Sequence, residues 1–163
     1  MEVKEISRKD VQYKALDAAL KYERGTLAIS MGVGKTRIAL YHLEKLFDAF
    51  TRVLVVVPKW SVKDSWINEI KFMNKTSLLD HIEFTTYLSL NKRRPNDYDT
   101  VYLDECHSLL ETHEGFLNEF KGRILGLTGT PPKSGEKLKM VNRYCPVRYT
   151  FSVDLNKDNS FLL

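Results

Sequence analysis

Five short apolar runs punctuate the chain, at Leu27–Ser30, Val53–Val57, Ile82–Thr86, Thr100–Leu103 and Ile124–Leu127, with helix-patterned or polar segments between most of them. Such alternation predicts βαβ units and a parallel sheet. Val53-Leu54-Val55-Val56-Val57 has no polar alternation, so it is expected to be a central strand covered on both faces, ended by Pro58. Residues Arg37 to Phe47 carry apolar side chains at helical spacing, predicting a helix there. A second helix is expected from about Ser61 to Phe72: Ser61 and Asp64 have the spacing of a capping box, and Val62, Trp66, Ile67 and Ile70 share one face. On that face Trp66 is expected in the core. Asn91 to Asp99 predicts an exposed loop, and no internal repeat is present. Residues 1–151 are expected to form one domain, with 152–163 a linker.

Between the first strand and the first of these helices lies Met31-Gly32-Val33-Gly34-Lys35-Thr36. Glycines at this turn let backbone N–H groups point inward at phosphate oxygens, and the following helix adds its positive end. Lys35 is then expected to reach the β- and γ-phosphates of ATP, and Thr36 to hold Mg²⁺ through its hydroxyl. The full phosphate-loop pattern has a Gly where this chain has Ile29. A glycine turn that merely caps a helix is the alternative.

Asp104 and Glu105 end the strand-like run from Thr100, the place where ligands bind in open α/β sheets. Phosphoryl transfer to water needs one carboxylate to hold Mg²⁺ and a second group to orient the attacking water, roles that suit Asp104 and Glu105 in that order. A pair that only caps a helix N-terminus is the alternative. Cys106, His107 and His113 provide no ligand quartet, so zinc is not expected.

Asp104-Glu105-Cys106-His107 resembles the DExH box of superfamily 2 helicases and translocases, and further segments follow in that family's order. Val11-Gln12 with Ala15 is similar to its adenine-reading segment. Val55-Val56-Val57-Pro58-Lys59 and Thr85-Thr86-Tyr87-Leu88-Ser89-Leu90 resemble its backbone-gripping strand ends. Leu127-Thr128-Gly129-Thr130-Pro131 resembles the segment that couples the ATP site to strand movement. The resemblance covers residues from about 8 to 132 and implies a three-layer α/β P-loop NTPase fold, the first RecA-like lobe, with a central, mostly parallel sheet. It implies that Gln12 contacts the base, that Met31 to Thr36 cradle the nucleotide, and that Lys35, Asp104, Glu105 and His107 act in catalysis and its coupling. Pro58, Lys59 and Thr86, with Thr128, Gly129 and Thr130, are implied in nucleic-acid contact and coupling. Met31-Gly32-Val33-Gly34-Lys35-Thr36 and Leu127-Thr128-Gly129-Thr130-Pro131 are closer to Swi/Snf-type and phage or bacterial translocases than to the DEAD-box RNA group, which favours DNA.

Composition changes this picture little. Hydrophobic residues at 43% support a globular domain with a real core, and a net charge of +4 is compatible with a polyanionic partner without demanding one. Cys106 and Cys145 stand far apart with no CxxC pairing, so neither a disulfide framework nor a zinc knuckle is indicated, and an intracellular, cytoplasmic setting is expected. No apolar run approaches the ~18 residues of a membrane span. Lys63, Lys71, Lys92, Arg93 and Arg94 are candidate phosphate contacts or a solvated basic face, and Trp60 a candidate stacking platform. A P-loop small-molecule kinase leaves Asp104 to His107 and the Thr128 to Pro131 segment unexplained. An ATP-gated binding module without turnover is the non-enzymatic alternative. After Thr130-Pro131 nothing resembles a second lobe, and about thirty residues are too few to build one; a second RecA-like lobe, in cis or in trans, is therefore expected to complete the site, with Tyr149 onward resembling the start of the inter-lobe linker.

Overall fold

Six strands, β1 (Arg24–Ile29), β2 (Val53–Val57), β3 (Ile82–Thr86), β4 (Thr100–Asp104), β5 (Arg123–Thr128) and β6 (Val147–Phe151), form one sheet in the order β3-β2-β4-β5-β1-β6 in the computed structural model, which describes residues 7–152. Every neighbouring pair is parallel. The helices are α1 (Arg8–Leu20), α2 (Lys35–Leu46), α3 (Trp60–Phe72), α4 (Glu114–Glu119) and α5 (Gly135–Tyr144).

The expected double cover of β2 is what the two cores show. Val53, Val55 and Val57 join α1, α2 and α3 in one cluster, while Leu54 and Val56 join Phe116, Leu117, Met140 and Val141 of α4 and α5 in the other. Alternate side chains of a strand point to opposite faces, so a run without polar residues suits a strand with helices on both sides. The result is the three-layer α/β architecture expected from the sequence.

Two sequence expectations need correction. Ser61 does not cap α3: the helix begins a residue earlier, with Lys59 at the cap position and no side-chain cap hydrogen bond. Tyr149 to Phe151 is not linker but part of β6, which pairs with β1 along the edge of the sheet. Its Val147-Arg148-Tyr149-Thr150-Phe151 sequence is half-exposed, which removes the continuous apolar signal of the inner strands. The rest of the expected linker, 153–163, lies outside the described residues. Arg93 pairs with Glu83 at 3.0 Å and donates to the Phe84 carbonyl at 3.1 Å, which braces its loop against β3. The loop it sits in is partly ordered into short 3-10 turns, Tyr87–Lys92 and Pro95–Asp97.

Between α2 and the sheet, buried His42 and Tyr102 meet at 2.7 Å through His42 Nδ1 and the phenol. Burial, aided by the Arg123 charge, lowers the His42 pKa to about 4, so the ring is neutral at pH 7 and shares a single hydrogen with the Tyr102 hydroxyl. The unfolded chain binds that proton near pH 6.5, and the folded chain only near 4. Stability from this group is therefore complete above pH 6.5 and is lost as pH falls toward 4, by roughly 3 kcal/mol over the window. Denaturant midpoints followed from pH 8 to pH 4.5 should show this slope, and His42→Gln should remove about one proton's worth of it. An unchanged slope in His42→Gln would refute the assignment.

Candidate functional site

Parallel strands bring all their C-terminal ends to one rim, and the order of the sheet decides which ends adjoin. β5 separates β1 from β4, so the turn after β5 lies between the phosphate loop and the Asp104-Glu105 pair. Thr86 ends β3 opposite Val57, which places Thr86 beside Pro58 and Lys59. The rim thus has one half with Thr86, Pro58 and Lys59, and another with Thr128 to Thr130 and Met31 to Thr36; Asp104 and Glu105 stand between them.

The loop after β1 turns through Gly32 at φ 90° and Gly34 at φ 94° and runs into α2 at Lys35. Gly34 also passes close to Gln12, whose Nε2 would lie 2.7 Å from an added Cβ, and the positive φ is what favours glycine there. Ile29, which stands where the pattern has its first glycine, is still in β1 and its side chain is core. Val33 is buried too, and contributes only backbone to the loop, whereas Met31 is exposed. Buried Gln12 donates from Nε2 to the Val33 carbonyl at 2.7 Å, so α1 is pinned to the phosphate loop.

Lys35 Nζ lies 2.9 Å from Glu105 Oε1, and Glu105 Oε2 lies 3.3 Å from His107 Nδ1. Glu105 adopts φ 54°, a left-handed conformation uncommon for a residue with a Cβ, and such strain collects at functional sites. His107 Nδ1 also reaches Thr128 Oγ1 at 2.9 Å and Thr130 Oγ1 at 3.4 Å, while the Thr130 N–H donates to Thr128 Oγ1 at 3.0 Å. Gly129 packs against Lys35: an added Cβ there would be 3.6 Å from Nζ. The structure therefore brings together Lys35, Glu105, His107, Thr128, Gly129 and Thr130, residues up to 95 positions apart in sequence.

Asp104 is buried and accepts the Trp66 indole N–H at Oδ2, 2.8 Å away. Burial raises its pKa, against the opposing pull of the Trp66 hydrogen bond and the Lys35 charge. Tyr87 donates its hydroxyl proton to the Asp104 carbonyl at 2.6 Å and fixes the end of β4. Cys106, the small residue inside the Asp-Glu-Cys-His segment, is held against β5, where a Cβ on Gly126 would come within 2.9 Å of its Sγ. His113 is structural, with Nδ1 accepting the Leu110 N–H and Nε2 donating to the Tyr87 carbonyl. Among the described residues no His, Cys, Asp and Glu cluster could hold a metal by itself.

Gln12, Met31, Gly32, Gly34, Lys35 and Thr36 line a pocket of about 250 Å³, joined by three residues the sequence reading passed over: Arg37, Ser65 and Glu69. Arg37 Nε pairs with Glu69 Oε1 at 2.5 Å, and its guanidinium lies over Phe72 at 5.3 Å. Arg37 follows Thr36 directly in sequence, whereas Ser65 and Glu69 reach the pocket only through the packing of α3 beside α2. A larger depression, about 660 Å³, opens at the start of β2 and β3 around Thr51, Arg52, Asp80, His81 and Glu83, but no phosphate-loop or Asp104 group reaches it. Converging chemistry outweighs size here.

The donor set fits a magnesium nucleotide: loop amides and Lys35 for phosphates, and hard oxygen ligands, the Thr36 hydroxyl and the Asp104 carboxylate, for the cation. Residues 5–133 match the family model of the type III restriction enzyme, res subunit. The chain belongs to this family. Its fold is that of a superfamily 2 helicase RecA-like lobe, a helicase-family ATPase motor domain, and ATP is the cofactor that family membership implies. A relative in African swine fever virus, "Putative ATP-dependent RNA helicase QP509L", is 29% identical over 137 residues, covering 68% of this chain and 25% of its own length. The chain thus spans about a quarter of the length of the curated relatives it matches. Among solved structures, the UvsW helicase from bacteriophage T4 superposes with a TM-score of 0.69 at 14% identity, covering 91% of this chain and 69% of that one. The ATP-dependent type ISP restriction-modification enzyme LlaBIII, bound to DNA, does so at 0.59 and 18%, covering 92% and 15%. These likenesses speak for the fold. No helix among the described residues is long and apolar enough to cross a membrane.

Proposed function

We propose that this lobe binds ATP·Mg²⁺ at the β1 and β4 strand ends and, with a second RecA-like lobe, drives movement along nucleic acid, DNA being favoured. The observation that carries the reading is the continuous contact Lys35–Glu105–His107–Thr128, which links the phosphate loop to the coupling segment. Lys35 binds phosphate oxygens, for which its ammonium must share or leave Glu105. Thr36 and Asp104 would hold the cation, which supplies charge neutralisation to the phosphates when bound. Glu105 orients the attacking water and accepts its proton. His107 and the Thr128 and Thr130 hydroxyls register the change at Glu105 and pass it along the rim. Gln12 would meet the base edge from the wall of the same pocket.

Exposed Pro58 and Lys59, with half-buried Thr86, are read as the nucleic-acid half of the rim. Contact there is with phosphates rather than base edges, so binding should be salt-sensitive and tolerant of sequence. Titrations at several salt concentrations should give a falling log–log plot, and Lys59→Ala should reduce its slope by about 1. A flat plot, or strong preference for one sequence, would contradict this. The viral relative is named an RNA helicase and LlaBIII was solved on DNA, so both polymers belong in the titration.

Residues 1–151 would belong to the lobe, and 152–163 to a linker toward a second one. A pocket of about 250 Å³ is smaller than the roughly 300–1,000 Å³ of most complete ligand sites, as expected of one wall of a cleft.

A further inference from the structure

Trp66 reaches Asp104 from a different element and a different part of the sequence, and its contact does more than fill the core. The indole is 1% exposed, and its Nε1–H is given to a carboxylate oxygen at 2.8 Å. Its ring packs against Tyr102 with centroids 6.0 Å apart, and Tyr102 in turn is held by His42 of α2. Tyr102 and Asp104 are two residues apart on β4, so they project from the same face of the sheet toward α2 and α3. The donor is therefore rigid, and a rigid donor on Oδ2 fixes the torsion of the carboxylate.

One helical turn beyond Trp66, Glu69 pairs with Arg37, the residue next to Thr36. Helix α3 thus holds Asp104 directly and the start of α2 through Arg37, and its own first turn follows Pro58 and Lys59 on the rim. We propose that Trp66 is a positioning residue for the cation site: its indole N–H orients the Asp104 carboxylate to receive Mg²⁺, and α3 ties that orientation to the nucleic-acid half of the rim. This rests on the reading of Asp104 as the carboxylate that holds the cation.

The test measures binding of a fluorescent ADP analogue to the chain with Mg²⁺ and with chelator, in the parent, Trp66→Phe and Asp104→Asn. Groups that orient a metal ligand typically change metal affinity about 10–100-fold when removed. Trp66→Phe should weaken the Mg²⁺-dependent part of binding by that factor, and leave Mg²⁺-free binding within about twofold. Equal weakening with and without Mg²⁺ would make Trp66 a packing residue, and no change in either would remove its role; both outcomes overturn the proposal. If Asp104→Asn keeps the full Mg²⁺ dependence, the reading of Asp104 itself fails and the proposal falls with it, whereas loss in Asp104→Asn but not in Trp66→Phe sinks the positioning role alone. Should Trp66→Phe fail to fold, the parent chain decides by its two indole N–H resonances. The solvent-protected one, Trp66, must shift when Mg²⁺ joins bound ADP; an unmoved resonance while Mg²⁺ tightens ADP binding overturns the proposal.

Discussion

Glu105→Gln in the two-lobed protein is expected to lower ATP turnover by about 10²–10⁴-fold, the usual contribution of a positioned general base, while nucleotide affinity is kept. The amide has nearly the same shape but cannot take a proton from water. It also cannot pair ionically with Lys35, whose Nζ lies 2.9 Å from Glu105 Oε1, so the phosphates lose a competitor for the ammonium. Lys35→Ala separates the other function. Hydrogen bonds to charged groups contribute about 1.5–3 kcal/mol, so affinity should fall roughly 10–100-fold. Equilibrium titration and single-turnover hydrolysis on both variants distinguish the roles. Hydrolysis by Glu105→Gln equal to the parent would sink the assignment of the base.

A large gain in turnover is expected when a second lobe closes over the open side of the pocket. Charge that develops on the transferred phosphoryl group needs a cation facing Lys35 from across the cleft, and an arginine finger in related phosphoryl-transfer enzymes is worth ~10³–10⁵ in turnover. Arg37 is the arginine in the pocket wall, and it is committed to Glu69 and stacked over Phe72. The 163-residue chain alone is therefore expected to bind nucleotide weakly and turn it over scarcely, and addition of a second lobe should restore a rate higher by about that factor. Robust polymer-stimulated hydrolysis by the chain alone, free of contaminating helicase, would overturn this expectation.

The phosphate loop and the carboxylate pair were legible because each is local: Gly32 to Thr36 is one turn between a strand and a helix, and Asp104-Glu105 ends one strand. Val53 to Val57 declared its own burial for the same reason. Contacts between elements were not legible. Nothing in the spacing of Trp66 and Asp104, or of Arg37 and Glu69, announces that they touch; only the stacking of α3 beside α2 does so. Cys106 and Cys145, distant in sequence, are both buried beside Thr26, whose hydroxyl lies 3.6 Å from Cys106 Sγ and donates to the Cys145 carbonyl at 2.6 Å. Helix α1 had a signal that went unread, the Ser7–Asp10 capping box ahead of Val11, Ala15, Leu16 and Ala19. Strand β6 had little, since an edge strand with exposed alternate residues looks like linker.

Steady-state ATP hydrolysis by this lobe joined to a second lobe, with and without single-stranded DNA, duplex DNA and RNA, decides whether it works as a nucleic-acid motor. Low polymer-free turnover should rise on addition of nucleic acid, most with DNA, and fall by about 10²–10⁴-fold in Glu105→Gln. Turnover indifferent to every polymer, or phosphate passed to a small-molecule acceptor instead of water, would contradict that role.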